Sequence, residues 1–282
     1  MRNIDYNEIV ETVAHACINS NIRLPECTMQ YYRTALKRET DGRSQGIIDK
    51  YLQNVEIADK QSLPLCQDTG TAVFFVTIGV DVKITGGPTL LVSDAITEGV
   101  RKGYTEGYLR KSIVSDPLFD RKNSGDNTPP IIHINLCEED ILKIEYAPKG
   151  GGAENMSRLK MMTPADGDDG VVDFVAETVK NAGGNPCPPV VIGVGIGGNF
   201  ERCAILAKKA LFREEPHPDS RYAMLEQRIL KAVNALGIGP QGFGGNVTAF
   251  DVHIEYESCH IASLPVAVNI NCHVHRHALI NL

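Results

Sequence analysis

A mixed α/β fold, with a helical N-terminal segment followed by a mixed sheet flanked by helices, is what this 282-residue sequence predicts. Two observations carry the prediction. Apolar residues recur at helical spacing through the first sixty positions, and from residue 71 onward short β-branched runs alternate with helical patterns and glycine turns. With 43% hydrophobic content the chain can bury a substantial core. Its expected organisation is a helical N-terminal segment over 1–62 and an α/β body over 63–282, together one compact domain.

The first element is a helix over 5–20, where Ile9, Val10, Val13, Cys17 and Ile18 share one stripe and Cys17 belongs to the core. Pro25 interrupts the chain, and the segments Met29 to Arg38 and Gly46 to Asp59 read as two more helices. Leu63-Pro-Leu-Cys-Gln-Asp-Thr-Gly70 is an irregular loop, and the β-branched and aromatic run from Thr71 to Val80 is the strand that follows it. Gly86-Gly87-Pro88 turns into a helix from Thr89 to Gly103, with Leu90, Leu91, Ala95 and Val100 as its apolar face. Ile131 to Leu136 and Ile141 to Tyr146 alternate as strands of a hairpin around Cys137-Glu-Glu-Asp140. Asp168 to Ala182 is a helix ended by Gly183 and Gly184. A strand entering Gly193 leads into helices at Asn199 to Phe212 and Ser220 to Leu236, and strands follow at Thr248 to Tyr256 and Leu264 to Ile270.

Gly193, Gly195 and Gly198 form a GxGxxG pattern between a strand and a helix, as in dinucleotide-binding folds. Such folds also need a second strand ending in an acid roughly 20 residues onward. Helix follows helix here instead, so nucleotide binding is excluded. A net charge of −7 with no dense basic block excludes nucleic acid and anionic membrane surfaces as partners. The N-terminal residues are too acidic for a signal peptide, and no run approaches roughly 18 apolar residues. Both features predict a cytoplasmic protein, in which eight cysteines read as reduced thiols or metal ligands.

Cys66, Cys187 and Cys272 share a setting that the other cysteines lack, each at the end of a strand beside proline, glycine or polar loop residues. Cys187 is held between Pro186 and Pro188, which fixes where its sulfur points. Cys27 and Cys137 have no partner motif. No CxxC pair occurs, which disfavours zinc ribbons and ferredoxin clusters. Three scattered thiolates fit a 4Fe-4S cluster with one iron lacking a protein ligand, an iron able to act as a Lewis acid. Several alternatives stand beside this at the level of single residues. Cys66 also fits a small buried hydrophobe, Asp68 a turn residue, Arg110 a solvated side chain, and Gly150-Gly151-Gly152 a flexible loop. The fit of His260 to a core histidine is similar, and Cys259 as a fourth thiolate would close the cluster. The histidine-rich tail at His273, His275 and His277 reads as a solvated or interface segment.

LPLCQDTGTA, LRKSIVSDPL, APKGGGAEN, NPCPPVVIGVGIGG and CHIASLPVAVNINC together resemble the α subunit of the class I (iron-sulfur) fumarate hydratase and L-tartrate dehydratase family, in the right order through nearly the whole chain. The resemblance implies that Cys66, Cys187 and Cys272 ligate the cluster and that Gln67, Asp68, Arg110, Gly151 and His260 contact substrate. It implies a hydro-lyase of the tricarboxylic acid cycle type, converting fumarate to (S)-malate, with L-tartrate dehydratase as the alternative and an iron-sulfur electron carrier or redox sensor as the non-enzyme alternative. Asp68 and His260 are the expected proton-transfer pair, with Arg110 gripping a carboxylate of a C4 dicarboxylate. The chain stops ten residues after Cys272. The family's β subunit is therefore expected to cover the site, in a dimer of αβ units.

Overall fold

The computed structural model describes residues 2–282, and the mixed helix-and-sheet composition is as predicted. The chain divides into two compact units, one from residues 2–25, 54–151 and 276–282, the other from 26–53 and 152–275.

In the first unit, β1 (Arg2–Asp5) runs parallel to β3 (Val82–Thr85). Asp5 then caps α1 (Tyr6–Ile22), its carboxylate accepting from the amides of Asn7 at 2.8 Å and Glu8 at 3.3 Å. Of the predicted stripe of α1, Ile9, Val10, Val13 and Cys17 are buried and Ile18 partly so, and the helix packs along α4 (Val92–Glu106). That helix begins three residues later than expected. Leu91 is extended, and Leu90 and Leu91 face solvent while Ala95, Ile96, Val100 and Tyr104 are buried. The sheet of this unit has the order β10 (Ala278–Asn281), β5 (Leu142–Lys149), β2 (Thr71–Gly79), β4 (Ile131–Cys137). The expected hairpin of β4 and β5 does not form. β2 lies between them, parallel to β4 and antiparallel to β5. Five consecutive buried residues on β2 make it the central strand, needing a neighbour on both edges. Phe74 and Tyr146, opposite each other in the β2–β5 register, stack at 4.9 Å.

The second unit holds α2 (Glu26–Arg38), α6 (Gly167–Ala182), α7 (Phe200–Ala210), α8 (Ser220–Asn234) and a sheet ordered β6 (Arg158–Met162), β9 (Leu264–Asn271), β7 (Val190–Gly198), β8 (Ala249–Cys259). α3 (Gly42–Gln61) begins in this unit and ends in the first. The central β7 is parallel to β8 and antiparallel to β9, so the plan of the first sheet recurs. The GxGxxG glycines serve packing. A Cβ on Gly193 would lie 2.0 Å from the Ala207 carbonyl oxygen, and one on Gly195 2.0 Å from that of Cys203, because α7 rests directly on β7. α7 is followed by α8 before the next strand, β8.

Candidate active site

Both sheets place their cysteine-bearing loop at one topological position. The loop precedes the central strand, beside the C-terminal end of the antiparallel neighbour, and the amide two residues beyond that neighbour bonds to it. In the first unit the Gly151 amide donates to the Asp68 carboxylate at 2.8 Å. In the second the His273 amide donates to the Cys187 carbonyl at 3.2 Å.

The Cys66–Gly70 loop is held on every side within its unit. Leu65 N donates to Asn21 O at 2.7 Å, and Asn54 Nδ2 donates to Leu65 O at 2.9 Å. The Thr69 hydroxyl, buried, donates to Arg110 O at 2.7 Å. Tyr104 donates its hydroxyl to Thr69 O and Gly70 O, Asn127 its amide to Gly70 O, and Arg276 Nη2 to Asp68 O at 2.6 Å. The Asp68 oxygens accept separately, Oδ1 from Gly70 N at 2.9 Å and Oδ2 from Gly151 N. Gly70 has φ +74, and a Cβ there would sit 2.8 Å from the backbone of Lys149. Cys66 is half-buried, Gln67 and Arg110 are exposed, and Asp68 N approaches Cys66 Sγ at 3.4 Å.

Cys66, Gln67, Asp68, Arg110 and Gly151 are thus brought into one neighbourhood. The triglycine segment is no open loop: α5 (Gly151–Glu154) starts there, and the Gly151 amide expected to face substrate is donated to Asp68.

In the second unit, exposed Cys187 has φ +54, the left-handed region that non-glycine residues rarely adopt. Its amide donates to Gly184 O at 3.1 Å. Cys272 follows β9, whose Asn271 pairs with Val191, so Cys187 and Cys272 lie at the same end of the sheet. Tyr51 stands beside both. Burial raises its hydroxyl pKa, and the Cys187 and Cys272 thiolates raise it further.

Cys259 and His260 are elsewhere in this unit. Cys259 pairs with Gly198, at the far end of nine-residue β7 from Cys187, roughly 26 Å away at the usual rise of about 3.3 Å per residue. Nearness in sequence misleads here, because β9 carries the chain the length of the sheet between His260 and Cys272. Cys259 therefore cannot complete a cluster held by Cys187 and Cys272 of its own chain. His260 lies exposed in an open groove with Asn199, Glu201, Arg202 and Ser258, its Nδ1 accepting from Ala262 N at 3.1 Å.

Three of the other thiols are held in the protonated form by burial. Burial pushes Cys17 up to about 12, and burial with Glu214 nearby pushes Cys27 up to about 11. Cys203 is fully buried, and its pKa too is raised by burial. Cys66 in the first unit, and Cys187 and Cys272 in the second, are in no disulfide and each at least partly accessible, each a thiol of the kind that iron-sulfur clusters take as ligands.

The histidine-rich tail is no solvated segment: His275 and Arg276 are 3% exposed. Asn271 Nδ2 lies 2.8 Å from His275 Nδ1, and the Thr28 hydroxyl donates to His275 O at 2.6 Å. Local patterning also overlooks Tyr51, Tyr32 and Arg276. Only the density of cation and imidazole groups after Cys272 hints at them.

A family model and relatives in sequence identify the chain as a hydro-lyase subunit. A family model described as Fumarate hydratase (Fumerase) matches residues 10–281, and the chain belongs to that family. It is 42% identical over 278 residues, 96% of each chain, to a Methanocaldococcus jannaschii protein provisionally named L(+)-tartrate dehydratase subunit alpha. To the L(+)-tartrate dehydratase subunit alpha of Escherichia coli K12 it is 34% identical over 276 residues, 96% of this chain and 89% of that one.

Proposed function

We propose that this chain is the α subunit of an iron-sulfur hydro-lyase that removes water from, or adds it to, a C4 dicarboxylate. The observation that carries the reading is the family match across residues 10–281, over the loops that bear Cys66, Asp68, Arg110, Cys187 and Cys272. Fumarate and (S)-malate are the leading pair. The names of the relatives favour L(+)-tartrate as a second substrate, which differs by one additional hydroxyl. A β subunit would complete the site in a dimer of αβ units, and the setting would be cytoplasmic. No helix among the described residues is long and apolar enough to cross a membrane.

Cys66, Cys187 and Cys272 would hold a 4Fe-4S cluster, which when bound supplies a Lewis-acidic iron lacking a protein ligand. Arg110, exposed and tied through its carbonyl to Thr69, would grip one substrate carboxylate with its planar fork. Gln67, exposed on the same loop, would donate to the other polar end of the substrate, near the start of α5 at Gly151. In dehydration the C3–H and C2–O bonds break and the C2–C3 double bond forms. Asp68 would carry a proton in that exchange, its carboxylate fixed by the amides of Gly70 and Gly151. His260, with Nδ1 accepting from Ala262, would present Nε2 as its donor, and would serve only a substrate held at its own end of the sheet or by another chain.

The test is turnover by the chain purified anaerobically with its β subunit, comparing (S)-malate, fumarate and L(+)-tartrate. Release or uptake of water on one of these supports the reading, and inertness toward all three with iron bound overturns it. His260→Asn at wild-type rates would remove that histidine from the chemistry.

A further inference from the structure

Cys187 combines an uncommon backbone conformation with exposure, so its surroundings must hold it in place. Its amide donates to Gly184 O, and its carbonyl accepts from His273 N at 3.2 Å. The next carbonyl, that of Pro188, accepts from the Gln241 amide at 2.8 Å and from the Tyr51 hydroxyl at 3.2 Å. The Tyr51 ring in turn lies flat on the His273 imidazole, centroids 3.7 Å apart and planes 13° from parallel. Tyr32 meets the imidazole edge-on. Fully buried, its hydroxyl lies 2.7 Å from His273 Nδ1 and donates to His273 O at 3.1 Å. Cys272 is the residue immediately before His273. Tyr51 therefore touches the residue after Cys187 and the residue after Cys272, with a different part of its side chain in each case.

We propose that Tyr51 is the positioning residue of the Cys187 and Cys272 pair, its hydroxyl fixing the Pro188 carbonyl and its ring clamping His273, so that both thiols are set before metal arrives. The proposal rests on the cluster assignment above, and adds a residue on α3 that itself ligates nothing. Ring and hydroxyl have separable jobs. Packing alone needs only the ring, whereas the bond to Pro188 needs the oxygen. Outer residues that orient metal ligands in this way typically alter metal affinity by about 10–100-fold when removed.

The experiment compares the full chain with Tyr51→Phe and Tyr51→Ala. In the metal-free protein, amide hydrogen exchange is followed at His273. After anaerobic reconstitution with ferrous iron and sulfide, the rate of iron loss to a chelator is followed by the visible absorbance. Tyr51→Ala is expected to speed exchange at His273 by about 10-fold or more and iron loss by about 10–100-fold. Tyr51→Phe is expected to fall between it and wild type, with an unchanged thermal midpoint. Unaltered His273 exchange in Tyr51→Ala, or acceleration spread evenly over the whole chain, overturns the proposal. A wild-type chain that takes up no iron either alone or with its β subunit refutes the cluster reading instead, and the exchange measurement then decides the positioning role by itself.

Discussion

Gly70→Ala probes how tightly the Asp68 loop is fitted to its sheet. The residue has φ +74, and an added Cβ would lie 2.8 Å from Lys149 N and Pro148 C, backbone atoms of β5 that are paired with β2. Left-handed backbone costs an L-residue about 1–2 kcal/mol. Forcing a methyl against immobile backbone costs about 1–3 kcal/mol more. Stiffening of the unfolded chain returns about 0.4–1 kcal/mol. The net expectation is a loss of about 1–4.5 kcal/mol. Gly125→Ala is the internal control, since Gly125 has φ +82 but nothing within 4 Å of its would-be Cβ. Its loss should be the strain alone, roughly 0–1.5 kcal/mol after the same offset. Urea unfolding followed by far-ultraviolet circular dichroism gives both numbers, which suits a chain without tryptophan. Equal destabilisation by the two variants would refute the close approach of the loop to β5.

Thr69→Val keeps shape but deletes the hydroxyl that ties Arg110 to the loop. It should destabilise by about 0.5–1.5 kcal/mol and raise KM for the dicarboxylate with kcat little changed, read from steady-state kinetics. Asp126 is disfavoured as an anion by partial burial, yet bonds from Thr128 and Arg101 lower its pKa to about 2. A depressed folded-state value means that its contribution is present above the unfolded value near 4 and is lost as pH falls toward 2. Unfolding midpoints of wild type and Asp126→Asn should differ at pH 6 and converge by pH 2, the gap being small because the pair is largely solvated.

Periodicity suffices where structure is local. The stripe of α1 and the irregular loop that precedes β2 both read correctly from their own residues, because helix faces and turns depend on near neighbours in sequence. Strand partners do not. β4 and β5 look like a hairpin, since nothing within them announces that β2 separates them. The same topology misplaces His260, which precedes Cys272 by the length of β9 and so lies at the other end of the sheet. The braces are the least legible part. Tyr51 is an ordinary aromatic residue on α3 until the Cys187 loop and His273 converge on it, and Arg276 looks like a solvated basic residue although it is buried against the Asp68 carbonyl. Their roles depend on long-range closure, which no window of sequence contains.

Cys187→Ser and Cys259→Ala, each measured in the anaerobic complex with the β subunit for iron content and for turnover of (S)-malate and L(+)-tartrate, test the proposed set of cluster ligands most directly. Three thiolates from Cys66, Cys187 and Cys272, with Cys259 at the far end of β7, predict that Cys187→Ser loses both iron and turnover while Cys259→Ala keeps both. A fully active Cys187→Ser, or a Cys259→Ala that has lost its iron, would contradict it.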